Sequence, residues 1–313
     1  KPYVLYGTLL IDSCKLILPA GARLYVHGGI ANNELGIYNE GLIYTLPHGQ
    51  IEVDGTAADP VIIRDDRIEP DYAGAWAGIR LGPESGPHVF SHMELNNGLV
   101  GILADSATTL SLDHSILAFT DGPGFFGRHA SAQISNCLFY ENGTNAVAFT
   151  YGGDYGLEYC TLSNYGNTDE ALAMNDFYCA DPLCSDGARL NKLTARINNC
   201  ILVGSSGDEV WLNDAAQPSE GLMDVLLQHC IVVVDELDNA DHYPDFFTNI
   251  CLSCNTFMPG DTLFKDLLQD DYHLDSLSIA QGKGVPIPGI TDDLEGNSRD
   301  VTNPDIGCYE RKD

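Results

Sequence analysis

A chain of 313 residues, 44% of them hydrophobic, is long enough for one large or two ordinary domains and too apolar to be disordered. Its 45 acidic against 15 basic residues leave a formal charge of −30, which repels nucleic acid and anionic lipid and sets both aside as partners. No apolar run reaches the roughly 18 residues of a membrane span. An acidic surface can collect Ca²⁺, the one cofactor the composition suggests, although a plain solvated surface is the better reading.

The chain begins at Lys1 without a Met or a signal-like stretch, and reads as a mature or trimmed form. In the first third, "LPAGARLYVHGG" and "LPHGQIEVDGTAADPVIIRDD" both run from Pro-x-Gly through an alternating strand to a Gly turn, with Pro19 and Pro47 28 residues apart. From "WAGIRLG" at residues 76–82 the pattern becomes regular. Met93, Ser115, Cys137, Cys160, Cys200 and Cys230 share a polar-then-apolar framing, as in "ISNCLF", "INNCIL" and "LQHCIV". The steps between them are 22, 22, 23, 40 and 30 residues, and the two excesses fall on loop-like sequence at about 165–191 and 213–221. Helical spacing is absent apart from "DEALAMNDF" and "TLFKDLLQD". Short strands at this period, joined by Gly, Asn and Asp corners, predict an all-β parallel solenoid over residues 1–240, with an irregular cap at 241–313.

In such a solenoid equivalent residues stack about 4.8 Å apart, so an inward position selects one residue type. Cys137, Cys160, Cys200 and Cys230 are therefore expected to form an interior ladder of reduced thiols, continued by Ser115 and Met93. Asn136 and Asn199, one residue earlier, fit a corner column bonded along the axis. Zinc needs four ligands around a point, which a column one residue wide does not supply. Disulfides between coils have the right spacing, but parallel side chains rarely reach the right dihedral. Cys179 and Cys184 in "CADPLC", and Cys251 and Cys254 in "CLSC", are spaced for local disulfides in an oxidising compartment, or stand as free thiols. Cys14 and Cys308 have no obvious mates.

From residue 263 the sequence strongly resembles the tail of secreted and surface-anchored β-helix proteins of the choice-of-anchor kind. The matching residues are Leu263, Phe264, Asp266, Asp271, Tyr272, Leu274, Ser276, Ser278, Ala280 and Gly282, then Asp293, Gly296, Arg299, Asp305, Ile306, Gly307 and Glu310. Ile279 departs from the usual Pro and Cys308 from the usual Ala. The resemblance implies a right-handed parallel β-helix exported to the cell surface, often as an outer-membrane-associated lipoprotein of Bacteroidota-type bacteria. It implies no activity. A tail of this kind is expected to cover the last coil, whose strand edges would otherwise invite aggregation.

Catalytic motifs are scarce. There is no GxSxG, P-loop, GxGxxG or HExxH, and His114 and His229, each preceding the column, read as corner or surface residues and not as metal ligands. A polyuronate lyase needs a basic residue as base, for which Lys192 with Arg196, or Arg128 with His129, are the candidates. A glycosidase needs two carboxylates about 5 to 9 Å apart, for which neighbouring coils offer Asp208 and Glu209 with Asp169 and Glu170, a pairing that 45 acidic residues also produce by chance. Trp211 and Tyr165 nearby are of the type that stacks on a sugar ring, although a lone aromatic usually serves packing. The inserted loops are the expected recognition elements, with Asp169, Glu170, Asp176, Tyr178, Trp211 and Asp214 as binding residues. The leading reading is a non-catalytic cell-surface or secreted binding or assembly module for a protein partner at the outer membrane or a surface glycan, attached to membrane only through a lipid or separate anchor. The alternative is a polysaccharide-degrading enzyme, lyase before hydrolase. An Asp/Lys/Arg cluster over three coils of one strand face would favour the enzyme, and a broad apolar patch would favour docking.

Overall fold

One turn of the chain shows how the coil is made. Thr109–Asp113 alternates, with Leu110 and Leu112 inward. His114, at φ 45°, turns the chain, and Ile116–Thr120 follows with Leu117 inward. A glycine corner at residues 122–124 leads to Phe125–Arg128, where Phe125 points inward. His129, at φ 56°, makes the last corner, and Ser131–Ser135 then pairs in parallel with Thr109–Asp113, Leu110 against Ala132 and Leu112 against Ile134. In the computed structural model, which describes residues 2–29, 31–33, 36–38, 41–67, 72–181, 184–215, 221–239 and 243–312, this path repeats up to Thr256.

The result is a parallel β-helix with three sheets. The ten-stranded sheet one contains Ile116–Thr120, the eight-stranded sheet two contains Phe125–Arg128, and the nine-stranded sheet three contains Thr109–Asp113. Each strand lies between its counterparts in the preceding and following coils. The strands of sheet one align so that Met93, Ser115, Cys137, Cys160, Cys200 and Cys230 stand in one column at the entry to that sheet. Met93 and all four thiols are almost wholly buried. The residue before each one has left-handed backbone: His92, His114, Asn136, Tyr159, Asn199 and His229, at φ between 45° and 54°.

The column has a chemical reason beyond size. The Ser115 hydroxyl donates to the Asp113 carbonyl at 2.8 Å and accepts from the Met93 amide at 3.1 Å. The thiols of Cys137, Cys200 and Cys230 donate likewise to the carbonyls two residues back, at 3.1, 3.2 and 3.3 Å. A small donor at this point adds a second bond to a carbonyl that already accepts an amide from the neighbouring coil.

The structure departs from the sequence reading at four places. Leu172–Asn175 is a sheet-two strand with Leu172 and Met174 inward, not part of a loop. Its short apolar run mimics helical spacing. The first insertion is thus a hairpin in which Phe177–Tyr178 pairs antiparallel with Arg189–Leu190, closed by the Cys179–Cys184 disulfide. The segments after Pro19 and Pro47 are not equivalent: Arg23–His27 belongs to sheet one and Gln50–Asp54 to sheet three, where it pairs with Lys15–Pro19. Parallel pairing also runs past residue 240, through Cys251–Leu252 and Asn255–Thr256. This places Cys254 next in the thiol column, where it is disulfide-bonded to Cys251. Finally, the tail does not cover the last coil. Leu237 and Phe246 join the core there instead.

The tail lies along the outer face of sheet one, where Leu138, Ile201, Val203 and Ile231 point outward against Leu263, Phe264, Tyr272, Leu274, Ile306 and Tyr309. The recurring Asp, Arg and Glu of the tail hold it together. Asp293 accepts the amides of Glu295, Asn297 and Glu310, and Glu310 accepts those of Asp300 and Asp305. Arg299 is buried, with its guanidinium 3.9 Å over the Tyr159 ring and bonded to Asn136 Oδ1 at 2.8 Å. Gly307, at φ +96°, comes so close to Ile201 and Thr161 that a Cβ there would lie 2.7–2.8 Å from their side chains. The corner column that Asn136 and Asn199 belong to is therefore mainly a rail for the tail: Asn199 accepts from the Val285 amide and donates to the Val285 carbonyl. Along the axis, Asn136 reaches His114 at 3.2 Å.

Candidate functional site

With sheet one covered by the tail, sheets two and three present the open faces. Sheet three is mixed outside, where exposed Ile17 and Val89 share one outward column with Glu52, Ser111, Gln133, Gly156 and Arg196. Sheet two differs. Its strands alternate so that Ile43, Ile79, Ile102, Phe125, Val147, Leu172 and Val210 point inward. The next residue of each strand points outward, giving the column Tyr44, Arg80, Leu103, Phe126, Ala148, Ala173 and Trp211. Three coils separate Tyr44 from Phe126 and three more separate Phe126 from Trp211, roughly 14 Å each at the parallel-strand spacing. Ala148 and Ala173, which lie between the last two, are buried, at 4% and 6% exposed.

Beside this column runs a polar one. Asp105, Arg128, Thr150, Asn175 and Asn213 follow the inward residue of each successive coil. Arg128 donates to Asp105 at 2.6 Å, and Arg80 reaches the same carboxylate at 3.3 Å. Two guanidiniums on one carboxylate leave a local excess of positive charge on a strongly acidic protein. Arg80 also sits over the Tyr44 ring, 5.3 Å from its centroid. The inserted hairpin raises one wall. Tyr178 meets Tyr151 edge to face at 4.8 Å, and Asn191 donates to the Tyr151 carbonyl at 2.9 Å. Between them lies a cavity of about 380 Å³ lined by Arg128, His129, Tyr151, Tyr178, Arg189 and Asn191. Arg189 has no carboxylate partner among the described residues.

The residues expected from sequence to bind are dispersed. Tyr178 lines this cavity and Trp211 heads the aromatic column, 40% exposed. Asp176 is buried and accepts the Ala215 amide at 3.1 Å, tying the first insertion to the second. Asp214 lines a separate cavity of about 350 Å³ with Met223, Tyr243 and Asp245. Asp169 and Glu170 lie at the opposite corner, where their carbonyls accept from Asn164 and Asn145. Tyr165 packs with the tail cluster on sheet one.

Of the residues expected for an enzyme, Arg128 and His129 line the cavity beside Tyr178, whereas Glu209, Asp208, Lys192 and Arg196 are held in local bonds. Glu209 is fully buried, its carboxylate accepts the amides of Ala171 and Ser206 at 2.8 and 2.7 Å, and burial pushes its pKa up to about 7. Asp208 accepts the amides of Asp235, Glu236 and Leu237. Both carboxylates organise turns. Arg196 grips Asp224 with two bonds of 2.8 Å, which lowers the Asp224 pKa, and Lys192 reaches the same carboxylate at 3.9 Å. Sequence reasoning missed Tyr44, Arg80, Asp105 and Phe126. The available signal was the alternation within each sheet-two strand, which becomes a column only once the coils are in register.

No known family profile matches the sequence, and no curated protein matches it. Among solved structures, the chain is similar to pectate lyase Pel9A. The two share 11% identity, with 94% of this chain and 89% of that one covered and a TM-score of 0.39. Among the described residues, no helix is long and apolar enough to cross a membrane.

Proposed function

We propose that this protein is a non-catalytic binding module that holds an extended glycan chain along the outer face of sheet two. The observation that carries the reading is the outward column in which Tyr44, Phe126 and Trp211 recur every third coil. Aromatic rings on a ladder offer an apolar face to successive sugar rings, while Arg128, Thr150, Asn175 and Asn213 alongside supply hydrogen-bonding groups for hydroxyls. The hairpin wall with Tyr178 and Arg189 marks where the chain is gripped from the side. Two local disulfides suit a cell-surface or secreted setting.

A second reading rests on the Arg80, Asp105 and Arg128 cluster, which spans three consecutive coils and would favour a lyase. One experiment separates the two. Affinity electrophoresis against a panel of neutral and acidic polysaccharides is paired with absorbance measurements for unsaturated products. Binding without product is expected, and Trp211→Ala should weaken it about tenfold, or 1.4 kcal/mol. Unsaturated product from the wild type, lost in Arg128→Ala, would replace this reading with the lyase. Binding that is indifferent to Trp211→Ala, Phe126→Ala and Tyr44→Ala would remove sheet two from the function.

A further inference from the structure

The fold brings together a second set of groups that the glycan face does not use. His92 and His114 are consecutive members of the left-handed corner column, with φ values of 50° and 45°. Stacked one coil apart, their rings lie 4.6 Å between centroids and are tilted by only 5°. Asp113 precedes His114, and ligand atoms of His92, Asp113 and His114 all lie within 4.8 Å of one another. We infer that these three residues form a binding site for one divalent transition-metal ion of the Zn²⁺ type, seated between the solenoid and its tail.

Three features support this. First, the donor set is two imidazole nitrogens and one carboxylate oxygen, which selects Zn²⁺ and its transition-metal neighbours over Ca²⁺ or Mg²⁺. Second, the bonds now present are ones an ion can replace. His114 Nδ1 lies 2.7 Å from Asp113 Oδ2, and Ser91 Oγ bridges that same oxygen, at 3.0 Å, to His92 Nδ1, at 2.9 Å. An ion taking the place of the Nδ1 protons leaves Ser91 donating to Asp113, so the carboxylate stays oriented. Metal–ligand bonds of about 2 Å put ligands roughly 3.3 Å apart, so the site closes when the His92 ring turns out of its stack on His114, because parallel imidazoles cannot aim both lone pairs at one ion. Third, an outer partner is in place. His114 Nε2 faces Asp292 Oδ1 of the tail at 3.5 Å. With Nδ1 on the metal, Nε2 carries the proton and must turn toward Asp292 and away from Asn136 Nδ2, which lies 3.2 Å from that nitrogen. His92 and His114 also line a cavity of about 450 Å³ between Glu94 and Glu295, which leaves a coordination position open to water or a further ligand. The inference stands apart from the glycan-binding proposal.

The test is calorimetric titration of the full chain, stripped with chelator, with Zn²⁺ as the probe. Cys14→Ser is used as background because Cys14 is the exposed free thiol among the described cysteines. One equivalent should bind with a Kd of about 1 μM, and Co²⁺ should give a ligand-field absorption band. His92→Asn and His114→Asn should each weaken binding at least tenfold. Asn is the fitting replacement because Asn136 and Asn199 already occupy this column with left-handed backbone, so circular dichroism and melting should stay near wild type. Asp292→Asn should weaken binding by a smaller factor. Loss of binding in a misfolded variant is separated from loss of a ligand by the Co²⁺ band of the folded Asp113→Asn variant, which should shift or vanish. No saturable Zn²⁺ binding by the wild type would overturn the inference. So would unchanged affinity in the His92→Asn/His114→Asn double variant, or displacement of Zn²⁺ by millimolar Ca²⁺, since either would place the ion on surface carboxylates.

Discussion

Replacing Arg299 with Met should release the tail from sheet one. The side chain is 2% exposed, so solvent does little to screen its interactions. It donates through Nε to the Asp292 carbonyl at 3.0 Å and through Nη2 to Asn136 Oδ1 at 2.8 Å and the Gly307 carbonyl at 3.1 Å, with Glu310 Oε2 3.5 Å from Nη1. Hydrogen bonds to a charged donor contribute about 1.5–3 kcal/mol each, while burying the guanidinium offsets a large part of that sum. Removing one partner of a buried ion pair costs about 3–5 kcal/mol, because Glu310 is left behind. A loss of about 4 kcal/mol in the stability of the docked tail corresponds to a roughly thousandfold larger open population. Hydrogen exchange reads this at Ile306 and Gly307, whose amides bond to Ala280 and Asn199, and at Cys308, bonded to Thr161. Arg299→Lys should lose most of the protection too, because an ammonium cannot reproduce the fork. Protection of these amides within tenfold of wild type in Arg299→Met would refute the idea that this residue clamps the tail.

Of the six free cysteines, only Cys14 is exposed. A thiol reagent should therefore titrate one equivalent in the native protein and six in denaturant, and a fast second equivalent would show that the ladder opens. Glu209 predicts a specific pH dependence. Burial raises its folded pKa to about 7 from 4.5, so the folded state prefers the protonated acid. Its stabilising contribution is complete below pH 4.5 and is lost as pH rises through 7, by an amount on the order of 3 kcal/mol. Comparing wild type with Glu209→Gln in urea melts from pH 4.5 to 8, the gap should move in favour of the variant by that amount, and a constant gap would contradict the burial argument.

Much of the scaffold is legible without coordinates because a solenoid writes its neighbours into the sequence. Cys137 and Cys160 touch because they are one coil apart, and the same local need recurs in each coil: a residue that tolerates left-handed backbone, then a small donor that turns back onto a carbonyl. Local spacing also suffices for the Cys179–Cys184 and Cys251–Cys254 disulfides. Contacts that do not repeat leave no such mark. Arg299 meets Asn136 across 163 residues, and nothing in "GNSRD" says which face it will lie on. Leu172–Asn175 was hidden because one strand of a long coil carries too few residues to show its period.

The sequence by itself determined the coil, its period and its interior column, since each depends on interactions within about one turn. Only the tertiary structure decided which outer face stayed open, that Tyr44, Phe126 and Trp211 fall in one line, and that Asp292 arrives beside His114. Those depend on how the coils register and where the tail lands, and a chain has no local physics that encodes either.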